Sequence, residues 1–325
     1  MTGPGVPPAV VTLGETMVLL HPAEPDVPLA RASVLTMDTA GADSNFAIAM
    51  SRLGVRSGWI SRVGADPLGD FVLAAVGGEG VDVSQVNRDP HPTGVFFKHR
   101  DPASSTTQVI YYRRDSAASH LIPDDLNADY LAGAQLVHLN GMTCALSASC
   151  AAAAVRAFEL ASPSAIRSLD LNLRLQLWDV ARAREALTPL IRRSEVLLGT
   201  AEEYEAFFES ADVGAAMDAA AAMGPTTVIA KRGPLGAIGL VGGIRVSHPG
   251  FQPPKVVDEV GAGDGFDAGF LAALLDGRSA ETALRWGNLV GASSVSVPGD
   301  VQGYPTRAQL EQRLARWPEI ESPAT

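Results

Sequence analysis

Residues 256–277, VVDEVGAGDGFDAGFLAALLDG, set one carboxylate, Asp264, among glycines just ahead of an apolar stretch. Phe266, Phe270, Leu271, Leu274 and Leu275 recur at helical spacing, Gly277 stands where the helix would stop, and Val256 and Val257 read as the end of a strand. The turn through Gly261, Ala262 and Gly263 would therefore deliver a helix N-terminus, whose unpaired N–H groups and positive dipole end attract anions. Asp264 would repel a permanently bound phosphate. A phosphoryl group in transit is different: the 261–263 amides can act as an anion hole for it while the carboxylate takes a proton from an attacking hydroxyl. The competing reading of Asp264 is an ordinary helix cap. The stretch has no G-x-x-x-x-G-K-[ST], and the third glycine of a dinucleotide fingerprint would fall at Phe266, so neither a P-loop nor a Rossmann turn fits.

Such a turn needs a sheet edge to hold it. Strand patterns at Val10–Leu13, Ser57–Val63, Leu136–Leu139, Ile166–Leu171, Val196–Leu198 and Thr227–Ala230 alternate with helical ones at 43–54, 68–76, 147–160, 179–193, 201–209 and 213–223, and further strands lie near 236–247. This rhythm predicts an α/β fold with a doubly wound, mostly parallel sheet covered on both faces. Two extended regions break it. Segments 14–37 and 93–113, the latter a hairpin around the turn DPASS, would form a small β-sheet lid over the strand ends where such folds bind ligands. The expected organisation is a single domain over 9–310, with 1–8 and 311–325 as flexible or peripheral termini.

The chain has 325 residues, 46% hydrophobic and 19% charged, which is enough for a large core. Its net charge of −11 argues against a nucleic-acid or anionic-membrane partner, so an anionic substrate would need local basic residues. The opening MTGPGVPPAV lacks the features of a signal peptide, and no apolar run approaches a membrane span of about 20 residues, so a cytoplasmic location is expected. Cys144 and Cys150 read as buried thiols, and the six His show no metal spacing.

Polar residues gather just after the strands. GADSN (41–45) opens a helix and could be a capping turn. YYRRD (111–115) could be a solvated strand end, yet arginine forks also suit a carboxylate or phosphate. In DLNLRLQLW (170–178), Asp170, Asn172 and Arg174 alternate and would share one face if extended. KRGPLG (231–236) could bring backbone close to phosphates or be a plain hairpin turn. Their shared placement is what favours a site.

The ordered set GADSN, RVGADPLGD, DLNLRLQLW, KRGPLG and VDEVGAGDGFDAGF resembles the ribokinase-like, or PfkB-type, carbohydrate kinases from Val10 to about Pro305, with G-A-G-D-x-F-x-A-G complete from Gly261 to Gly269. GET (14–16), YYRRDSAAS and DLNLRLQLW look most like the 2-keto-3-deoxygluconate kinases within that family. The resemblance implies transfer of the ATP γ-phosphoryl group, with Mg²⁺, to a sugar hydroxyl. Asp264 matches the catalytic base, and Gly261, Ala262 and Gly263 the anion hole. Glu15, Gly41, Ala42, Asp43, Asn45, Tyr111, Arg113 and Arg174 match sugar-site positions; Asn172, Thr200, Lys231, Gly233, Gly236 and Asn288 fall near the nucleotide. Glu203 would act indirectly in the magnesium and phosphate water network. Some relatives bind a monovalent cation such as K⁺ beside the anion hole, and Asp258 stands where that site would begin. The chain departs from the pattern at Ala40, where a glycine is usual, and at Thr200, where an asparagine is common.

The expected activity is phosphorylation of a sugar acid, 2-keto-3-deoxygluconate first, with Arg113 and Arg174 neutralising its carboxylate. A kinase for a neutral ketose or pentose and a catalytically silent nucleotide or sugar sensor are the alternatives; a pure binder gains nothing from a carboxylate facing phosphate. The apolar Val95, Phe96, Phe97, Val109 and Ile110 of the lid hairpin point to a homo-oligomer formed through the lids.

Overall fold

The computed structural model describes residues 7–24, 27–100, 107–253 and 255–316; the DPASS turn lies outside them. The chain begins with β1 (Val10–Leu13), β2 (Met17–Pro22), β3 (Leu35–Ala40), α1 (Ala42–Arg52), β4 (Ser57–Gly64), α2 (Pro67–Gly78) and β5 (Val86–Asp89). Then come β6 (Val95–Arg100), β7 (Thr107–Tyr112), α3 (Ala128–Ala132), β8 (Leu136–Asn140), α4 (Gly141–Leu146), α5 (Ala148–Leu160), β9 (Ile166–Asp170), α6 (Val180–Ile191) and β10 (Val196–Thr200). The last part holds α7 (Ala201–Phe208), α8 (Val213–Ala221), β11 (Thr227–Lys231), β12 (Ala237–Val241), β13 (Ile244–His248), α9 (Ala262–Leu275), α10 (Ala280–Ser294) and α11 (Arg307–Arg316).

Nine strands form one sheet in the order β13-β12-β11-β10-β9-β8-β1-β4-β5. β5 through β11 in that order pair in parallel, and β12 and β13 add an antiparallel edge. Successive residues of a strand face opposite sides, and β1 shows the consequence. Val11 and Leu13 join the core with Phe158, Leu187 and Tyr204, whereas Val10 joins Phe46, Phe270 and Leu284 on the other face. Both faces are covered, as the apolar strand sequences require. No helix among the described residues is long and apolar enough to cross a membrane.

The second sheet, β3-β2-β6-β7, is built from two insertions into this frame. β2 and β3 interrupt the crossover from β1 to β4, and β6 and β7 interrupt the one from β5 to β8; parallel pairing of β2 with β6 joins them. β3 runs on to Ala40, beyond the 14–37 segment expected from the sequence.

One local reading changes. Val256 and Val257 are not strand: 255–260 is irregular, the two side chains are 54% and 39% exposed, and Val257 N–H bonds the carbonyl of Val295 at the end of α10. β-branched composition marks a strand only where a neighbouring strand can take its backbone groups. β5 and α10 complete the frame, and the glycines that disguise α10 are where it meets α9. A Cβ at Gly287 would lie 2.9 Å from the Phe266 carbonyl oxygen.

The lid joins the body at Gly41, between β3 and α1. A Cβ there would lie 2.2 Å from the Glu15 carbonyl oxygen and 2.9 Å from Thr16 Cα, backbone atoms with no rotamer to yield. Gly41→Ala is expected to destabilise the fold by about 1–3 kcal/mol, read as a lower urea midpoint at unchanged slope.

Candidate active site

Two helix N-termini converge at the C-terminal edge of the sheet. α9 starts at Gly261, whose φ of 81° is left-handed and favours glycine; no side chain caps this end. Ala262, Gly263 and Asp264 form its first turn, leaving backbone N–H groups for an anion. Asp264 is therefore not the cap: it lies at the third helical position, buried, and one of its oxygens accepts from Asn45 Nδ2 at 2.9 Å. Asn45 comes from the first turn of α1, opened by Gly41, Ala42 and Asp43. Burial pushes the Asp264 carboxyl up to about 6, against the pull of the Asn45 hydrogen bond and the Arg174 charge.

Asp43 is fully buried at the point where the sheet turns from β1 toward β4 on one side and β8 on the other, the usual ligand crevice of such sheets. It accepts from Thr12 Oγ1 (3.0 Å), Asn140 Nδ2 (3.2 Å) and Thr143 Oγ1 (2.9 Å), yet burial still lifts it to about 7. Asn172 Nδ2 continues the network to Asn140 Oδ1 at 2.9 Å. The expected alternation of Asp170, Asn172 and Arg174 fails, because Asn172 has a φ of +36°. Asp170 and Asn172 turn inward and Arg174 reaches solvent, with no ion pair among the described residues.

Beneath α9, Lys231 at the end of β11 donates to Asp170 (3.0 Å) and Asp267 (3.0 and 3.2 Å). Burial opposes all three charges. The two carboxylates nevertheless hold Lys231 above its usual range, Lys231 holds Asp170 below its own, and burial with the Asp170 charge pushes Asp267 up. Asp267 was not singled out from the sequence, nor were Thr12, Asn140 and Thr143 around Asp43; for Asp267 the offset of three from Asp264 on one helix was the available signal. Glu203 accepts from the amides of Thr200 (2.8 Å) and Leu173 (2.7 Å), and Thr200 caps α7 in return, so this pair anchors the 171–174 segment. Gly233 and Gly236 sit in the turn after β11, and Asn288 on α10 donates to the carbonyls of His248 (3.3 Å) and Pro249 (3.4 Å).

The lid side differs from expectation. Arg113 forms a buried ion pair with Glu15, whose other oxygen takes the Ser116 hydroxyl; its guanidinium also lies 5.7 Å from the Tyr111 ring. A cavity of about 590 Å³ lined by Tyr111, Arg113, Leu146, Ser149 and Leu177 opens beside this pair.

With this geometry in view, the pfkB family carbohydrate kinase model matches residues 8–307. The chain belongs to that family of carbohydrate kinases. It is 36% identical to the 2-dehydro-3-deoxygluconokinase of Bacillus subtilis (strain 168), over 94% of this chain and 95% of that protein. It is 33% identical to the 2-dehydro-3-deoxygalactonokinase of Haloferax volcanii, over 90% and 92%. A provisionally named ribokinase II from E. coli, solved with ATP and Mg²⁺, shares the fold with a TM-score of 0.88 at 24% identity, over 95% and 99%.

The uncapped head of α9 suits the phosphates of a nucleotide. Lys231 engages Asp267 and one oxygen of Asp170, and two amides engage Glu203, so Mg²⁺ would be held chiefly by phosphate oxygens and water, its usual manner, with the other, unpartnered Asp170 oxygen left over. A monovalent cation at Asp258 does not fit: its carboxylate already carries the Lys98 ammonium and accepts from the amides of Val260 (3.2 Å) and Gly299 (3.4 Å).

The raised Asp264 pKa makes a stability prediction for the kinase. Its folded value of about 6 lies above the ordinary 3.8, so folding favours the proton; the destabilisation is absent below 3.8, grows between the two values and is complete above 6. Asp264→Asn keeps an acceptor for Asn45 and is expected to be more stable than wild type by up to about 3 kcal/mol at pH 8. The difference should vanish toward pH 4 in denaturant titrations.

Proposed function

We propose that the chain is an ATP- and Mg²⁺-dependent sugar-acid kinase whose acceptor is 2-keto-3-deoxygluconate, the 2-dehydro-3-deoxygluconate of its bacterial relative. The observation that carries the reading is Asp264, a buried carboxylate held by Asn45 in the first turn of an uncapped helix. In this reading Asp264 takes the proton from the acceptor hydroxyl, and the 261–263 amides stabilise charge on the phosphoryl group as it moves. Asn45 fixes the direction of the carboxylate. Lys231 neutralises Asp170 and Asp267 behind it, which limits the negative charge an incoming triphosphate meets. Closure of the lid sheet would exclude water from the transfer.

Arg174, rather than Arg113, is the arginine available to a substrate carboxylate. Arg113 is committed to Glu15, whereas the Arg174 guanidinium is exposed and near enough for its charge to favour ionised Asp264. Fork-shaped pairing of arginine with a carboxylate suits that role. A neutral-sugar kinase would have no use for it.

ADP release with 2-keto-3-deoxygluconate, its galacto epimer, fructose and ribose tests both assignments. The keto acids should turn over, with kcat/KM rising as pH passes about 6 and then levelling. Asp264→Asn should lower kcat by about 10²–10⁴-fold while substrate still binds. Arg174→Ala should raise KM for the keto acids at least tenfold. Faster turnover of fructose or ribose would overturn the acceptor assignment, and an unchanged Asp264→Asn would overturn the base.

We also propose that the lids pair two copies. Phe96 is buried within the lid sheet, but Leu35, Met37, Val109, Ile110, Tyr111 and Tyr112 remain exposed on its strands. Light scattering at micromolar concentration should give at least a dimer mass that Ile110→Glu lowers. A wild-type monomer would overturn the proposal.

A further inference from the structure

Lys98 lies on lid strand β6, yet its ammonium is buried in the main body. It pairs with Asp258, in the loop that leads into α9, and with Asp300 at 3.3 Å, in the loop that follows α10; all three side chains are nearly shielded from water. These two loops meet at Gly261. The Asp300 carbonyl oxygen would lie 2.2 Å from a Cβ at Gly261, and Tyr304 Oη donates to the Gly261 carbonyl at 2.6 Å. Val257 and Asp258 amides bond the Val295 carbonyl, and Asp258 accepts from Val260 and Gly299, so one short network spans both loops. Lys98 is the only cation paired with these carboxylates among the described residues. Burial raises the Asp300 carboxyl and the Asp258 charge adds to this, while Lys98 pulls it back.

We infer that Lys98 is a positioning residue for phosphoryl transfer: a cation built into the lid that pins the two loops forming the left-handed turn at Gly261, and so makes assembly of the anion hole depend on the docked lid. It touches neither the nucleotide nor the reacting hydroxyl. Its effect passes through Asp258 and Asp300 to the amides of 261–263. The ammonium fills the place beside Asp258 that a bound monovalent cation would need, so the kinase works without one. Removing the ammonium leaves two buried carboxylates facing each other, and their repulsion opens the loops. The inference rests on reading the α9 N-terminus as the anion hole.

The test is steady-state kinetics of wild type, Lys98→Arg, Lys98→Met and Lys98→Met/Asp258→Asn, with whichever acceptor wild type phosphorylates. Each is assayed in choline chloride and in potassium or ammonium chloride at equal ionic strength, choline being too large for the gap. Wild type should be indifferent to the salt. Lys98→Met should lose at least tenfold in kcat with acceptor KM changed less than threefold, and recover part of the loss in potassium or ammonium but not in choline. Lys98→Arg should retain most activity, and Asp258→Asn should shrink the Lys98→Met defect by relieving the repulsion; it also guards against a single variant that fails to fold. Hydrogen exchange at residues 258–261, faster in Lys98→Met, reads the same effect without any sugar, so a wild type inactive on every acceptor would sink the substrate reading and leave this one testable. Wild-type dependence on potassium, an unchanged kcat in Lys98→Met, or unchanged exchange at 258–261 would overturn the inference.

Discussion

Lys231 holds the site together by dividing one ammonium between Asp170 at the end of β9 and Asp267 on α9. Removing it would bury two carboxylates side by side and push α9 off the strand ends, which costs several kcal/mol in comparable buried pairs. A salt bridge of this kind contributes little net stability against an apolar equivalent. Its value here is orientation. Asp264 and Asp267 are three residues apart on one helix and so share a face, and fixing Asp267 fixes the rotation of α9 about its axis. That rotation decides where the first-turn amides and Asp264 point.

The same arrangement concentrates carboxylates. Asp43, Asp264, Asp267 and Glu203 are all raised by burial, and each bears on its neighbours. The heads of α1 and α9 supply partial positive charge at the same edge, favouring the ionised forms. Burial sets Asp264 at about 6, so it is ionised near neutral pH, as the proposed proton acceptor would need to be. General bases work best when their pKa lies near the operating pH. Glu203 spends its oxygens on the Thr200 and Leu173 amides, which makes it a brace for the segment that carries Arg174.

Much of this was legible in the chain, and the parts that were not share a cause. The turn at 261–264 and the alternation of strands and helices depend on local residue choice, so spacing reveals them. The doubly wound frame and the small lid sheet follow from the same patterns. Pairings depend on what the fold brings together, and spacing is blind to them. Asn45 and Asp264 are 219 residues apart, Lys98 and Asp258 160, and Lys231 and Asp170 61. Arg113 was legible at a strand end and Glu15 through the family resemblance, but only the structure shows them bound to one another. The valines at 256 and 257 and the residues around Asn172 mislead for the opposite reason: their local pattern is extended, and hydrogen bonds from other elements override it.

The long separation between Asn45 and Asp264 also sets the order in which the molecule can mature. All nine strands of the main sheet are complete by His248, before any residue of α9 has been synthesised. Domains fold from their N-terminal side during synthesis, so a nascent chain can build its sheet and its lid while still lacking both the turn and the carboxylate. A prematurely terminated product ending before Gly261 therefore lacks both the head of α9 and Asp264, and with them the groups proposed to stabilise the phosphoryl group and take the proton.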